Sequence, residues 1–364
     1  MFHPRFTARV LFVTLLLGVP GFRPPTVQAA TWVFLSLASE KRIDSYRLDE
    51  ATGTLALVAR NVVDAGEPGA LAISDDRRWM LAAIRSTGRL ASFKVDTAHG
   101  TLTPVSVVDA GADPAHISLD RTNRYLLAAY YVAGKVSVHR IQTDGTLSAQ
   151  PVQELPTADK AHAIVPDRTN RFVYVPHTGS NVIFQFKFDP ARGLLAPLMP
   201  DRKSTPAGTG PRHLAWHPDQ PIAYVDNEQG SSVTPWRMNS ETGDLSPGET
   251  VSTIPADFRE TNSCAEIRID RRGRLLFVAN RGHNSIASFR IDASGTVLRP
   301  AGHGATEPVP RSFDLDPSGR YLFAAGEVTG KLATFRIDRD SGALDRIATQ
   351  EVGARPWWVM VVGD

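Results

Sequence analysis

Residues 210–228 read GPRHLAWHPDQPIAYVDNE. The pattern predicts a β-hairpin: a short strand, a tight turn at Pro218-Asp219, and a second strand of alternating apolar and polar residues. Because the two strands of a hairpin are antiparallel, the start of the first and the end of the second lie at the same end. We therefore expect Arg212 and Glu228 to be neighbours, although they are sixteen positions apart in the chain.

The rest of the chain repeats this hairpin within a longer unit of four strands. A turn aspartate recurs, 44 to 52 residues apart, at Asp76, Asp120, Asp167, Asp219, Asp270 and Asp316. A closing turn, Gly-Thr-Leu or a variant of it, recurs at Gly53, Gly100, Gly145, Gly193, Gly243, Gly295 and Gly342. Repeats of this length with four strands each are typical of β-propeller blades. The closing turns predict seven blades.

The two ends of the chain predict how the ring closes. The N-terminal unit begins at its second strand, and residues 355–362 form a lone strand at the other end. We expect this C-terminal strand to pair with the N-terminal blade, because that pairing removes two exposed strand edges. The predicted fold is all-β, a seven-bladed β-propeller over residues 30–364 whose ring is closed by the C-terminal strand.

The first 29 residues have the pattern of a secretory signal. Arg5 and Arg9 precede an apolar run over residues 10–19, and small residues near Ala29 offer a cleavage site. The run is well short of the roughly 20 residues that span a bilayer, which favours cleavage over an uncleaved anchor. We expect an exported protein, periplasmic or secreted, that is not bound to the membrane after cleavage.

The charge and cysteine content exclude several classes of function. The chain has a formal charge of +2, and its first 29 residues contain three arginines and no acidic residue. The predicted mature protein therefore has a formal charge of −1, which gives no general attraction for nucleic acid. Cys264 is the only cysteine, so an intramolecular disulfide and a zinc-thiolate site are both excluded.

In a propeller, the start of each first strand and the end of each second strand lie on one face of the central channel. The predicted strand-one starts are His116, His162, Arg212 with His213, Cys264 with Glu266, and Arg311. The predicted strand-two ends are Arg85, Tyr130 with Tyr131, His177, Glu228, Arg281 and Glu327. One mouth of the channel is therefore predicted to hold basic, imidazole and carboxylate groups together.

These groups are suited to binding a small anion. Arg212, Arg281 and Arg311 can form paired hydrogen bonds with carboxylate or phosphate oxygens. We expect Glu228, surrounded by cations, to stay ionised and to act as a general base. His162 could polarise a carbonyl group or transfer a proton.

Other interpretations of these residues stay open. Arginine and glutamate at a channel mouth can simply tie neighbouring blades together. His116, His177 and His213 can be hydrogen-bonded histidines at strand ends. His213 and His217 are four residues apart, but on a strand, so they do not form a helical metal pair. We predict neither a metal nor a cofactor.

Four segments carry a resemblance to a known family. They are residues 210–213 with 227–228 (GPRH and NE), 264–267 (CAEI), 310–313 with 324–326 (PRSF and AAG), and 356–359 (PWWV). The chain resembles, from about Trp32 to Val362, the seven-bladed propeller lactonases, typified by the propeller-type 6-phosphogluconolactonase. The fungal carboxy-cis,cis-muconate cyclase is a relative. Two positions depart from the family pattern, Ser263 and Glu327.

The resemblance implies that His162, Arg212, Glu228 and Arg281 form the catalytic group. We expect the neighbouring mouth residues to bind substrate, and these are Arg311, His213, His116, Tyr130 and Glu327. The implied activity is hydrolysis of a sugar-derived lactone, 6-phospho-D-glucono-1,5-lactone in the first place. The expected partner is a small anionic lactone, and a monomer is favoured with the oligomeric state left open. The alternatives are a lactonising cyclase, a lactonase for a non-sugar lactone, and a propeller that only binds carbohydrate or protein.

Overall fold

The computed structural model describes residues 1–2 and 30–363. Apart from its first two residues, the predicted leader over residues 1–29 lies outside the described residues. The described helices are two short 3-10 turns, Ala38–Glu40 and Arg85–Thr87. Within the described part of the chain, no helix has the length and apolar character to cross a membrane.

The described chain is built from 29 strands. The first seven are β1 (Trp32–Leu37), β2 (Arg42–Leu48), β3 (Leu55–Val62), β4 (Pro68–Ile73), β5 (Trp79–Ile84), β6 (Arg89–Asp96) and β7 (Thr101–Asp109). The next eight are β8 (Pro114–Leu119), β9 (Tyr125–Tyr130), β10 (Lys135–Arg140), β11 (Gln153–Pro156), β12 (Val165–Pro166), β13 (Phe172–His177), β14 (Val182–Asp189) and β15 (Leu194–Ser204). The remainder are β16 (Pro211–Trp216), β17 (Ile222–Asn227), β18 (Ser232–Met238), β19 (Leu245–Pro247), β20 (Val251–Ser252), β21 (Ser263–Ile269), β22 (Leu275–Arg281), β23 (Ser285–Ile291), β24 (Leu298–Ala305), β25 (Pro310–Leu315), β26 (Tyr321–Gly326), β27 (Lys331–Ile337), β28 (Leu344–Glu351) and β29 (Pro356–Val362).

The strands form seven antiparallel sheets, one for each predicted blade. Blade 1 has the order β29-β1-β2-β3, and blades 2 and 3 contain β4 to β7 and β8 to β11. Blades 4 to 7 contain β12 to β15, β16 to β20, β21 to β24 and β25 to β28. The C-terminal strand runs along β1 from the pair Trp32 and Val362 to the pair Leu37 and Pro356. The predicted all-β propeller and its ring closure are confirmed.

The apolar core lies between neighbouring blades. All six residues of β9 and of β26 are buried, whereas the outer strand β3 contains no buried residue. Burying a Val, Leu, Ile or Phe side chain contributes about 1.5–3 kcal/mol. The second strand of each blade therefore contributes most to blade packing, and the outer strand, half solvated, contributes less.

A repeated contact, which we call the seam, joins each blade to the preceding one. The closing-turn glycines have φ angles between 67° and 83°, and each lies against a large residue that begins the second strand of the blade before. A Cβ atom on Gly100 would lie 2.4 Å from the Trp32 ring, and one on Gly145 would lie 2.3 Å from the Trp79 ring. The other pairs are Gly193 on Tyr125, Gly243 on Phe172, Gly295 on Ile222, Gly342 on Leu275 and Gly53 on Tyr321. The last pair lies across the ring closure, so the seam runs round the whole ring.

Four of the six turn aspartates hold their hairpins in the same way. Oδ1 of Asp120 accepts hydrogen bonds from the backbone N–H groups of Arg124 and Tyr125, both at 2.8 Å. Asp167 and Asp270 accept an equivalent pair of bonds, and Asp316 accepts one from Tyr321.

The equivalence predicted for Asp76 and Asp219 is wrong by two residues. Ser74 takes the place of the aspartate in blade 2, where its Oγ accepts the Trp79 N–H at 3.0 Å. His217 takes that place in blade 5, where its Nδ1 accepts the N–H groups of two turn residues, Asp219 among them. A hydroxyl or an imidazole nitrogen can hold such a turn because each is also a hydrogen-bond acceptor.

Candidate active site

The inner strands of the blades are irregular at one mouth of the channel. In the pairing of β16 with β17, Pro211 faces Asn227 and Leu214 faces Val225, so Arg212 and His213 together face one residue. The strand β21 has the same two-for-one irregularity at Ala265 and Glu266. Single extra residues stand at Ala115 in β8, Arg311 in β25 and Trp357 in β29. Such bulges redirect side chains, so most blades present a polar or aromatic side chain at the same level.

The guanidinium groups of Arg212 and Arg281 lie on either side of the Glu228 carboxylate. Nη2 of Arg281 donates to Glu228 Oε1 at 3.0 Å and to the backbone oxygen of Cys264 at 2.7 Å. Nε of Arg212 lies 3.5 Å from Glu228 Oε2. The expected proximity of Arg212 and Glu228 is therefore confirmed, and the pair of Arg281 with Glu228 also connects blade 6 to blade 5.

Several polar atoms of this group are buried without a hydrogen-bond partner among the described residues. They are Glu228 Oε2, Arg212 Nε, Arg281 Nε, His162 Nδ1 and His213 Nε2. The Arg212 side chain is only 2% exposed, and that of Glu228 is 19% exposed. Burying a polar atom without a hydrogen bond costs free energy. Several such atoms at one mouth therefore indicate a site that receives a polar ligand.

Three histidine rings from blades 3, 4 and 5 lie edge to face beside the arginines. The ring centroids of His116 and His213 are 5.2 Å apart, and those of His162 and His213 are 5.0 Å apart. Burial lowers the pKa of His116 to about 4. Burial and the nearby Arg212 charge hold the pKa values of His162 and His213 well below the ordinary value. All three imidazoles are therefore neutral near pH 7.

Carboxylates behind the mouth fix the bulged residues. Oδ1 of Asp226 accepts the backbone N–H of His213 at 2.7 Å, and burial raises the pKa of Asp226 to about 7. Oε1 of Glu266 lies 3.2 Å from His213 Nδ1 and accepts from Arg268 Nη1 at 2.6 Å. The role of Asp226 was not predicted, although a carboxylate inside an otherwise apolar, buried strand is a signal that the sequence contains.

Arg311 and Glu327 lie in blade 7, next to the blade that carries Arg281. Their side chains are 3.7 Å apart, and the Arg311 guanidinium lies over the Trp357 ring, 4.0 Å from its centroid. Burial, together with repulsion from Arg212, lowers the pKa of Arg311 to about 9. Trp357, which belongs to the PWWV segment, is a second residue whose position at the mouth was not predicted.

The structure places two strand-end residues away from this group. Tyr130 is fully buried within its blade, and its hydroxyl lies 2.8 Å from Ser137 Oγ. Its neighbour Tyr131 instead contacts the His162 ring, with centroids 5.5 Å apart. His177 is likewise buried, with Nδ1 donating to the backbone oxygen of Val175 at 2.8 Å. Neither side chain is in a position to contact a ligand held by Arg212 and Arg281.

Among the described residues, no group of three or more His, Cys, Asp or Glu side chains is arranged to hold a metal ion. The mouth contains the carboxylates of Glu228 and Glu327, three neutral imidazoles and the guanidinium groups of Arg212, Arg281 and Arg311.

The chain matches the model of the family "Lactonase, 7-bladed beta-propeller" over residues 32–361, and it belongs to this family of lactonases. Two relatives, both called 6-phosphogluconolactonase, come from Cronobacter sakazakii and Yersinia pestis. The first is 34% identical over 330 residues, covering 90% of this chain and 97% of the relative. The second is 32% identical over 331 residues, covering 91% and 98%.

Solved structures give the same fold. A periplasmic gluconolactonase from Pseudomonas aeruginosa is 25% identical and superposes with a TM-score of 0.85, covering 92% of this chain and 99% of its own. A protein from Bacteroides fragilis described as a putative 6-phosphogluconolactonase has the same TM-score at 23% identity, covering 93% and 100%. The second likeness shows the fold alone.

Proposed function

We propose that the protein hydrolyses a sugar-derived δ-lactone, with 6-phospho-D-glucono-1,5-lactone as the first candidate substrate. The observation that carries the proposal is the Glu228 carboxylate between Arg212 and Arg281, with its Oε2 buried and accepting no hydrogen bond from the described residues. Membership of the lactonase family and the names of the curated relatives support the choice of reaction and of first candidate.

The geometry of this group supports the following proposed reaction. Glu228 Oε2 takes a proton from a water molecule as the water oxygen bonds to the lactone carbonyl carbon. The carbonyl oxygen becomes negative, and Arg212 and Arg281 stabilise that charge. The bond from this carbon to the ring oxygen then breaks, and the ring oxygen takes up the proton, so that a free hydroxyl and a carboxylic acid result. The acid ionises, and the carboxylate stays beside the two arginines until it leaves.

His162 acts in this scheme as a neutral group. Because its pKa lies well below the ordinary value, it does not supply a proton as an imidazolium at neutral pH. It can instead accept a proton at one ring nitrogen while it releases another proton from the second nitrogen. One of these nitrogens, Nδ1, has no hydrogen-bond partner among the described residues. We assign it to proton transfer at the ring oxygen.

The second candidate substrate is the same lactone without its phosphate. The leader predicted over residues 1–29 implies export, and a phosphorylated sugar lactone is a metabolite of the cytosol. The solved gluconolactonase from Pseudomonas aeruginosa is described as periplasmic. Export to the periplasm or beyond, and with it this candidate, is part of the proposal.

The test is the Glu228→Gln variant. A general base accelerates a reaction about 10²- to 10⁴-fold, so we expect kcat to fall at least about 100-fold once spontaneous lactone opening is subtracted. Glu154→Gln is the matched control. Glu154 lies on the outer strand β11 and pairs with Lys135 of β10.

Full activity in Glu228→Gln would exclude Glu228 as the base. If the wild-type protein hydrolyses neither lactone, the remaining functions are formation of a lactone, hydrolysis of a non-sugar lactone, and ligand binding without catalysis. Activity with an acyclic hydroxy acid or a non-sugar lactone separates the first two. Lactone binding without turnover, measured by calorimetry, identifies the third.

A further inference from the structure

A cavity of about 360 Å³ opens at the same mouth, on the side of blades 1 to 3. Its charged and aromatic lining consists of Glu67, Arg85, Asp113, Arg355 and Trp357. The volume falls within the range of roughly 300–1,000 Å³ that is usual for small-molecule sites. None of these five residues has a role in the reaction proposed above.

The charges that line this cavity are paired one to one. Nη2 of Arg85 lies 3.0 Å from the Asp113 carboxylate, and Nη1 of Arg355 lies 3.3 Å from that of Glu67. The lining thus contains two guanidinium groups and two carboxylates. Its formal charge is zero, and each cation already has an anionic partner.

The charges at the boundary between the cavity and the catalytic group are balanced as well. Trp357 belongs to the cavity lining, and the guanidinium groups of Arg311 and Arg355 lie 4.0 and 4.5 Å from its ring centroid. Glu327 lies 3.7 Å from Arg311 and 3.8 Å from Arg355. The ring thus orients both guanidinium groups, and one carboxylate is shared between them.

The three side chains Arg212, Arg281 and Glu228 have a formal charge of +1, because the two arginines share one carboxylate. One charge matches the single negative charge that develops on the lactone oxygen and remains on the product carboxylate. A phosphate adds nearly two further negative charges at neutral pH. In the cavity, the phosphate charges would lie near the carboxylates of Glu67 and Asp113. Both guanidinium groups of the lining are already paired with these carboxylates.

We propose that this cavity is the subsite for the uncharged, hydroxyl-bearing end of the lactone, and that the enzyme prefers a sugar lactone without a phosphate. The inference rests on the proposed lactonase function and chooses between its two candidate substrates. Carboxylates accept hydrogen bonds from sugar hydroxyls, and the N–H groups of arginine donate to them. A lining of alternating acceptors and donors therefore suits a polyol and rejects a dianion.

The test compares kcat/KM for D-glucono-1,5-lactone and for its 6-phosphate, in the wild type and in Glu67→Gln. We expect the wild type to prefer the unphosphorylated lactone. Glu67→Gln removes one of the two carboxylates that face Arg355 and gives the cavity lining a net positive charge, so the ratio of phosphorylated to unphosphorylated kcat/KM should rise roughly tenfold. Glu327→Gln is the second variant, and it should shift the ratio in the same direction.

Glu154→Gln is the control, because it removes one negative charge from the outer strand β11, outside the cavity lining, and should leave the ratio unchanged. A wild type that prefers the phosphorylated lactone, with a ratio that neither variant moves, would overturn the inference. If the wild type hydrolyses neither lactone, the proposed function fails, and the subsite is then tested by calorimetry with D-gluconate and 6-phosphogluconate. Binding of D-gluconate alone, with gain of 6-phosphogluconate binding in Glu67→Gln, would support the subsite; binding of neither compound would overturn it.

Discussion

Among individual residues, the buried histidines have the clearest consequence for stability. His116 has its pKa lowered to about 4 in the folded protein by burial, whereas an unfolded histidine titrates near 6.5. Between these values the unfolded chain binds a proton that the folded protein does not bind. The stability that His116 contributes is therefore fully present above about pH 6.5 and falls as the pH is lowered.

This sign gives a prediction for His116→Gln. From pH 7 to pH 4 the wild type should lose about 3 kcal/mol of unfolding free energy relative to the variant. The difference is to be measured by urea denaturation across that range. Because burial raises the pKa of Asp226 to about 7, Asp226 acts in the opposite direction, and only the difference between the two proteins isolates His116. A constant difference across the range would contradict the lowered pKa.

At this scale the sequence predicted the residues that hairpin geometry brings together. Arg212 and Glu228 could be paired in advance because antiparallel pairing depends only on the position of the turn. The placement of Tyr130 could not be predicted, because a residue at a strand end can point into the blade or into the channel. One irregular pairing decides between them, and in blade 3 it leaves Tyr130 buried beside Ser137.

Among structural elements, the first hairpin of each of blades 2 to 7 depends on one acceptor in its turn. Asp120 is 1% exposed and accepts hydrogen bonds from Thr122, Arg124 and Tyr125 in its own turn. It also accepts one from the Asn170 side chain of the next blade at 2.9 Å. The side chain therefore fixes both the turn and its position against the neighbouring blade.

Asp120→Ala and Asp76→Ala should differ sharply in stability. Loss of the Asp120 carboxylate leaves several buried donors without partners, and we expect a cost of about 2–4 kcal/mol. Asp76, whose side chain is 54% exposed, should cost less than about 1 kcal/mol. Chemical denaturation of the two variants measures both values. Equal costs would show that the buried acceptor is not what holds the turn.

The strands themselves were predictable because alternation and turn residues recur seven times. The bulges were not. An extra residue such as Arg311 in β25 shifts the register by one without changing the apolar pattern on either side. The sequence therefore predicted which strands meet at the mouth, while the direction of each side chain there depends on backbone geometry that no local pattern specifies.

For the whole molecule, the ring is held closed by strand pairing between the two ends of the described chain. Trp32 pairs with Val362, so the two ends of the described domain lie side by side. A covalent link between residues 363 and 30 would then join neighbours, and a break elsewhere in a surface turn would leave every blade with its strands.

A circular permutant tests this arrangement. With a short Gly-Ser link from 363 to 30 and new ends between the exposed residues Asp340 and Ser341, we expect an unfolding free energy within about 1 kcal/mol of the wild type. A chain that ends at Gly353 should behave differently, because it lacks β29 and leaves the edge of β1 open. We expect that chain to aggregate, and a soluble, cooperatively folded form would contradict the role given to β29.

The seam has a consequence for how such a ring can evolve. Each glycine allows its blade to pack closely against the large residue of the preceding blade, and seven such contacts complete the ring. A duplication or loss of one unit would require a different rotation at every blade at once. Single blades can therefore diverge in their mouth residues, and so in substrate, while the number of blades is inherited unchanged.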